Sequence, residues 1–166
     1  RKSQPYCGYE NFEFDIPTRD KSDVYNRTMV RFDECYESMR IIWQVLDKIA
    51  IATPLTACFI RLGNLMTSEI TGKSTDVPWA FIFQQVDPMP RHPGQLYEAI
   101  TYALLFFIGW YFYRRTPQRV GTGFFFGLCL TYIFTARFFI EYTKEVQEAF
   151  EASLPLDMGQ LLSIPF

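Results

Sequence analysis

Apolar and polar positions fall in long blocks along this chain, not in short periods. From residue 1 to about 40, charges mix with aromatics such as Tyr6, Tyr9, Phe12, Phe14 and Tyr25, with no strong periodicity. Asp20-Lys21-Ser22-Asp23 reads as a turn, and Asn26-Arg27-Thr28 as a chance match to a glycosylation sequon. An apolar run over 41–60 is long enough to span a bilayer, which takes about 20 residues. Its Gln44, Asp47 and Lys48 are costly in lipid and require a protein-lined inner face, and Pro54 favours a kink. Residues 61–93 are less apolar and rich in turn signals, with Trp79-Ala80-Phe81-Ile82-Phe83 fitting a short strand or an interfacial segment. Further spans are predicted at 96–113 and 120–140. An acidic segment follows to Pro155, and a partial span starts at about 158. The pattern predicts an all-α membrane protein, a polytopic helix bundle with an outward-facing mixed loop region. Residues 1–40 form a polar segment and possible insertion, and residues 41–166 the membrane domain.

Charge sets the orientation. Arg114-Arg115-Thr116-Pro117-Gln118-Arg119 holds three arginines and no acid, which places this loop in the cytoplasm. Alternation then puts 61–93 and 141–157 on the outer face and residues 1–40 in the cytoplasm. With a net charge of -2, nothing marks a nucleic-acid binder. The four cysteines form no CxxC pair, and the single histidine is far from them in sequence, which argues against zinc. Cys58 and Cys129 lie inside apolar runs, whereas Cys7 and Cys35 are free to pair. Both chain ends read as boundaries of a fragment.

Charged residues at membrane depth are the candidate chemistry. Arg137 and Glu141, four apart, project from one face of the third span. Their spacing fits a functional pair and a structural ion pair equally. Arg61 ends the first span with Asn64 one turn on, and Asp47 lies four turns earlier on the same face. A plain membrane-edge arginine explains Arg61 as well. His92, Gln95 and Glu98 open the second span behind Pro93, which suits a first helical turn. The histidine fits a general base or a scaffold.

Three segments carry a family resemblance. Phe59-Ile60-Arg61-Leu62-Gly63-Asn64-Leu65-Met66-Thr67-Ser68-Glu69-Ile70-Thr71-Gly72 resembles the signature of the bacterial prolipoprotein diacylglyceryl transferases. Arg91-His92-Pro93-Gly94-Gln95-Leu96-Tyr97-Glu98 is similar to that family's second box. Arg137-Phe138-Phe139-Ile140-Glu141, followed by Met158-Gly159-Gln160-Leu161-Leu162-Ser163-Ile164-Pro165, is similar to its third. The resemblance implies transfer of diacylglyceryl from phosphatidylglycerol to the lipobox cysteine thiol of a prolipoprotein, with glycerol phosphate released. It implies Arg137 and Glu141 as catalytic residues, and Arg61, Asn64, Glu69, Gly72, His92 and Gln95 as substrate-binding residues. The implied partners are phosphatidylglycerol, the prolipoprotein signal peptide and membrane lipid, with no cofactor or metal. The implied location is the bacterial cytoplasmic (inner) membrane, multi-pass, with the site toward the outer face. Two departures stand out. The family's His-Gly-Gly motif is not among these residues, so this piece by itself is expected to be inactive. Where some members carry a tyrosine four residues before the third-span arginine, this chain has Ile133, with Tyr132 about 100° away around the helix. The alternative function is a transporter or channel subunit with an Arg/Glu-lined path, and a membrane scaffold is a third reading.

Overall fold

A computed structural model describes residues 7–84 and 86–144, together with Gln160 and Ser163. The described residues form three long helices: α1 over Val24–Met66, α2 over Gly94–Arg115 and α3 over Phe124–Glu141. All three are long and apolar enough to cross a membrane. The predicted spans at 96–113 and 120–140 lie almost wholly within α2 and α3. The predicted span at 41–60 lies within α1, which extends past it at both ends and runs unbroken through Pro54. Its 43 residues measure about 65 Å, twice a hydrocarbon core. The predicted last span falls outside the described residues except at Gln160 and Ser163.

The amino-terminal half of α1 is polar yet helical because local chemistry and a strap support it. The Asp23 carboxylate accepts the Asn26 backbone N–H at 2.7 Å, capping the helix start. Residues 11–19 then lie back along α1. Lys48 donates to the Asn11 carbonyl at 2.6 Å, Gln44 exchanges two bonds with the Glu13 backbone, Glu37 accepts the Asp15 N–H, and Arg19 pairs with Asp33. The partners descend along α1 as the strap ascends, so the two run antiparallel. Cys7 and Cys35 are both exposed and unbonded.

The bundle is up-down-up. Ile51 of α1 approaches Gly109 of α2, Cys58 packs with Ala99 and Tyr102, and Arg61 reaches Glu98, so α1 and α2 run antiparallel. Tyr113 meets Phe125, Leu105 packs with Cys129, and Tyr102 packs near Ile133, so α2 and α3 also run antiparallel. Ile133 is therefore a core contact. The buried stripe of α2, Gln95, Glu98, Tyr102, Leu105 and Gly109, has helical spacing.

The polar residues of the first span are handled separately. Lys48 turns to the strap, where it also lies 4.4 Å from the Phe12 ring centre. Asp47 is 0% exposed and accepts three backbone N–H groups, from Gly121 at 2.8 Å, Gly123 at 3.0 Å and Phe126 at 3.0 Å. Helix α3 starts at Gly123, which has no side chain to cap it, so Asp47 supplies the cap from α1. Gly121 and Gly123 both have positive φ there. A cavity of about 600 Å³ opens at this end of the bundle between the strap and the basic loop, lined by Asn11, Glu13, Gln118 and Thr122 among others.

Candidate functional site

The charged residues singled out at 61, 137 and 141 meet at the opposite end of the bundle from that cavity. Arg61 reaches it because α1 carries it one turn above Cys58 on the buried face. Its Nε lies 2.6 Å from Glu98 Oε2. The other oxygen of Glu98 lies 2.6 Å from Lys144 Nζ. Lys144 Nζ lies 3.4 Å from Glu141 Oε2, which in turn lies 3.9 Å from Arg137 Nε. The result is a chain of alternating charge, Arg61–Glu98–Lys144–Glu141–Arg137, drawn from all three helices and the segment after α3. Its middle is sheltered, with the Glu98 side chain 4% exposed and that of Lys144 10%. One end is open, because the Arg137 side chain is 45% exposed. The contacts also differ in strength. Glu98 is tightly held on both oxygens, whereas at 3.9 Å the Arg137–Glu141 contact is too long for a hydrogen bond. Glu141 Oε2 is buried and accepts no hydrogen bond among the described residues. The hydroxyl of buried Tyr102 lies within electrostatic range of Arg61, Glu98 and Arg137.

Lys144 reaches Glu98 because of a backbone clasp. Residues 72–75 run between 90–92 and 143–144. Gly72 N–H donates to the His92 carbonyl, Lys73 N–H to the Thr143 carbonyl, His92 N–H to the Lys73 carbonyl and Thr75 N–H to the Pro90 carbonyl. A Cβ on Gly72 would lie 2.6 Å from the His92 carbonyl oxygen and 2.8 Å from that of Thr143, so the clasp closes only around glycine. Arg91 adds a side-chain bond to the Gly72 carbonyl at 3.2 Å and pairs with Asp87. The two short strands β1 (Phe81–Ile82) and β2 (Pro90–Arg91) pair antiparallel beside it.

The remaining predicted site residues surround this chain in different ways. Asn64 is half-buried one turn after Arg61, and its carbonyl accepts the Glu69 N–H. The backbone turns sharply on either side of Glu69, with positive φ at Ser68 and at Ile70, where it is uncommon for a β-branched residue. Glu69 is exposed and contributes its carbonyl, which accepts from the Gln95 side-chain amide. Gln95 Oε1 is buried and accepts no hydrogen bond among the described residues. His92 is tied to Tyr97, whose hydroxyl lies 3.2 Å from Nδ1 and also accepts the Trp79 indole N–H at 2.8 Å. An indole only donates, so the Tyr97 proton is left for Nδ1, and a neutral His92 then carries its proton on Nε2.

Lys144 and Tyr102 are the members that the sequence did not point to, and Glu98, named at the opening of the second span, had been given no role. Tyr102 had a signal, since it lies one helical turn beyond Glu98 on the same face. Lys144 had none, because its partner depends on the clasp.

A family model described as prolipoprotein diacylglyceryl transferase matches residues 28–166. Proteins named phosphatidylglycerol–prolipoprotein diacylglyceryl transferase are similar to this chain. One from Bacteroides fragilis is 58% identical over 132 residues, covering 80% of this chain and 48% of that protein. One from Tolumonas auensis is 50% identical over 127 residues, 76% of this chain and 48% of the relative. One from Vibrio cholerae is 40% identical over 136 residues, 78% of this chain and 47% of the relative. The chain thus spans about half the length of the curated relatives it matches, and no solved structure matches it. With the family model covering most of its length, the chain belongs to the prolipoprotein diacylglyceryl transferase family.

Proposed function

We propose that this chain carries the phosphate-handling half of an enzyme that moves the diacylglyceryl group of phosphatidylglycerol onto the lipobox cysteine of a prolipoprotein. The observation that supports this reading best is the alternating chain with arginine at both ends, set near the end of the bundle away from the basic loop. Glu98 lies four residues into α2, about 6 Å from the end of that span. Lipid phosphates lie just beyond that end of the span, within reach of long arginine side chains, and guanidinium groups match their geometry and charge.

The cysteine thiol loses its proton, since thiolate is the nucleophile. Sulfur forms a bond to the glyceryl carbon, the bond from that carbon to the phosphate oxygen breaks, and glycerol phosphate leaves with the electron pair. Arg61 and Arg137 hold the phosphate and stabilise the charge that grows on it. Glu141, with its loosely paired oxygen, takes the thiol proton. Glu98 and Lys144 fix the spacing between the arginines. Asn64, Glu69, His92 and Gln95 bind the rest of the substrate, and Gly72 permits the clasp that shapes the site. The prolipoprotein signal peptide enters from the lipid. The location is the bacterial inner membrane, with the site toward the outer face because the three-arginine loop lies at the other end. No observation favours a solute path.

The test is transfer of labelled diacylglyceryl from phosphatidylglycerol to a lipobox peptide by the full-length protein. Arg137→Lys keeps the charge but loses the planar donor pair, and a loss of roughly 10²–10³ in rate is expected. Near-normal transfer at equal abundance would remove the arginine clamp from the mechanism.

A further inference from the structure

The loop between α1 and α2 carries an apolar surface that the transfer reaction does not use. Trp79, Ile82, Val86 and Met89 are all more than half exposed, and Phe81 nearly half. From Val77 to Pro90 the sequence holds one charged residue, Asp87, and Arg91 neutralises it. A surface this apolar and this poor in solvated charge is unusual for a segment facing water.

Helix α2 sets the height of this loop relative to the membrane. Helix α2 has 22 residues and measures about 33 Å, close to the ~30 Å thickness of a hydrocarbon core. Its first turn therefore sits at the boundary between acyl chains and head groups. Tyr97 belongs to that turn, and the Trp79 indole donates to its hydroxyl at 2.8 Å. This bond pins Trp79 to the same level, where indole and phenol rings favour the interface. The strand pairing then sets the direction. Phe81 pairs with Arg91 and Ile82 with Pro90. Directly paired residues share a face of the ladder. The clasp segment pairs with β2 along its other edge, and Ile82 projects from the face of the ladder opposite the Arg91 side chain, where it is more than half exposed.

We propose that this hairpin is an interfacial anchor, with Trp79, Ile82 and Met89 embedded in the lipid of the leaflet on the site side. The occupant of the surface is bilayer lipid, continuous with the lipid around α2. Because β2 leads directly into His92 and the clasp around Gly72, the anchor ties the clasp to the bilayer surface. This inference rests on the membrane spans and is independent of the transfer chemistry.

The test uses full-length protein in vesicles of phosphatidylcholine and phosphatidylglycerol, with Cys7 and Cys35 replaced by serine. A nitroxide is placed in turn at Ile82→Cys, Met89→Cys and, as an aqueous reference, Ser22→Cys. Collision with oxygen and with a soluble nickel chelate is measured by paramagnetic resonance. Expected is a ratio of oxygen to nickel accessibility several-fold higher at 82 and 89 than at 22. Nickel accessibility equal to that at 22 would overturn the anchor. So would shielding from both relaxants, or shielding from nickel that appears only when a lipobox peptide is added, since either points to protein as the occupant. The two labelled positions are independent, so misfolding of one variant leaves the other to decide.

Discussion

Replacing Asp47 with alanine removes the cap of a helix that has none of its own. Three backbone N–H groups, of Gly121, Gly123 and Phe126, lose a charged acceptor that is fully buried. A lost helix cap costs about 0.5–2 kcal/mol. The donors left without a partner cost about 1–3 kcal/mol each. Neighbouring losses do not simply add, and water reaching the loop recovers part, so a net destabilisation of ~3–5 kcal/mol is expected. For a chain of this size each kcal/mol moves the melting midpoint by about 2–4 °C, giving a drop near 10 °C. Asp47→Asn separates charge from shape. Its amide nitrogen would face the N–H groups of Gly121 and Gly123 or that of Phe126, so most of the loss should remain. The assay is thermal unfolding in detergent, with amide hydrogen exchange at residues 121, 123 and 126 as the local readout. An Asp47→Ala midpoint within about 2 °C of the parent, with unchanged exchange, would refute the cap.

Four further outcomes are expected. Glu98→Gln leaves Arg61 and Lys144 without their shared carboxylate; breaking a buried pair in this way costs about 3–5 kcal/mol, read as lowered melting together with lost transfer. Gly72→Ala pushes a methyl group into two backbone carbonyls and should cost ~1–3 kcal/mol along with activity. Gly63→Ala, in the same signature, meets nothing within 4 Å and should be neutral or slightly stabilising. The hydrogen bond from Arg91 holds the Asp87 carboxyl below the usual carboxylate range. Its stabilisation of the hairpin is therefore complete above that range and is lost as the pH falls through the lowered value. Asp87→Asn should flatten the acid end of a proteolysis profile across residues 77–91.

The spans were legible because an apolar run of fixed length has few other uses, and the alternation of apolar runs with polar loops gave their order. The start of α1 at Val24 was not legible. Asp23 is a recognisable cap, but the helix beyond it is polar and carries no pattern that separates helix from loop until the strap is seen lying on it. Asp47 shows the same limit from the other side. Its cost in lipid announced a partner, yet the partner was a set of backbone N–H groups some 75 residues later that no residue-type pattern reveals. In the site, Arg61, Arg137 and Glu141 stood out because charge at membrane depth is expensive. Glu98 lay within a recognised box, at the opening of the second span, and nothing in the box named Arg61 and Lys144 as its partners. Lys144 follows the third span in an ordinary surface sequence. What makes it part of the site is the approach of Gly72 to residues 143 and 144, a tertiary event written in one glycine.

The net charge of the chain of ion pairs bears on the proton-accepting role proposed for Glu141. With every member ionised, the chain holds three cations, Arg61, Lys144 and Arg137, against two carboxylates, Glu98 and Glu141, a net of +1. That matches the single negative charge of a phosphodiester lipid. When glycerol phosphate leaves, a monoester with up to two negative charges remains. If Glu141 has meanwhile taken the thiol proton, the chain stands at +2, so the site's charge rises in step with that of the leaving group. Glu98 is poorly placed for this role, since both of its oxygens contact cations at 2.6 Å. Glu141→Gln then has a distinctive signature. Removing one negative charge should preserve or tighten phosphatidylglycerol binding while transfer near neutral pH falls sharply, because the thiol has lost its proton acceptor. Free thiols ionise with a pKa near 8.5, so transfer by the variant should climb as the pH passes through about 8–9, narrowing the gap to the parent. If Glu141 acted only by orienting Arg137, the arginine would stay misplaced at every pH and the gap would not narrow. The measurement is labelled diacylglyceryl transfer by full-length protein from pH 7 to 9.5, with phosphatidylglycerol binding measured on the same preparations; a gap independent of pH would reassign Glu141 from proton acceptor to positioning residue.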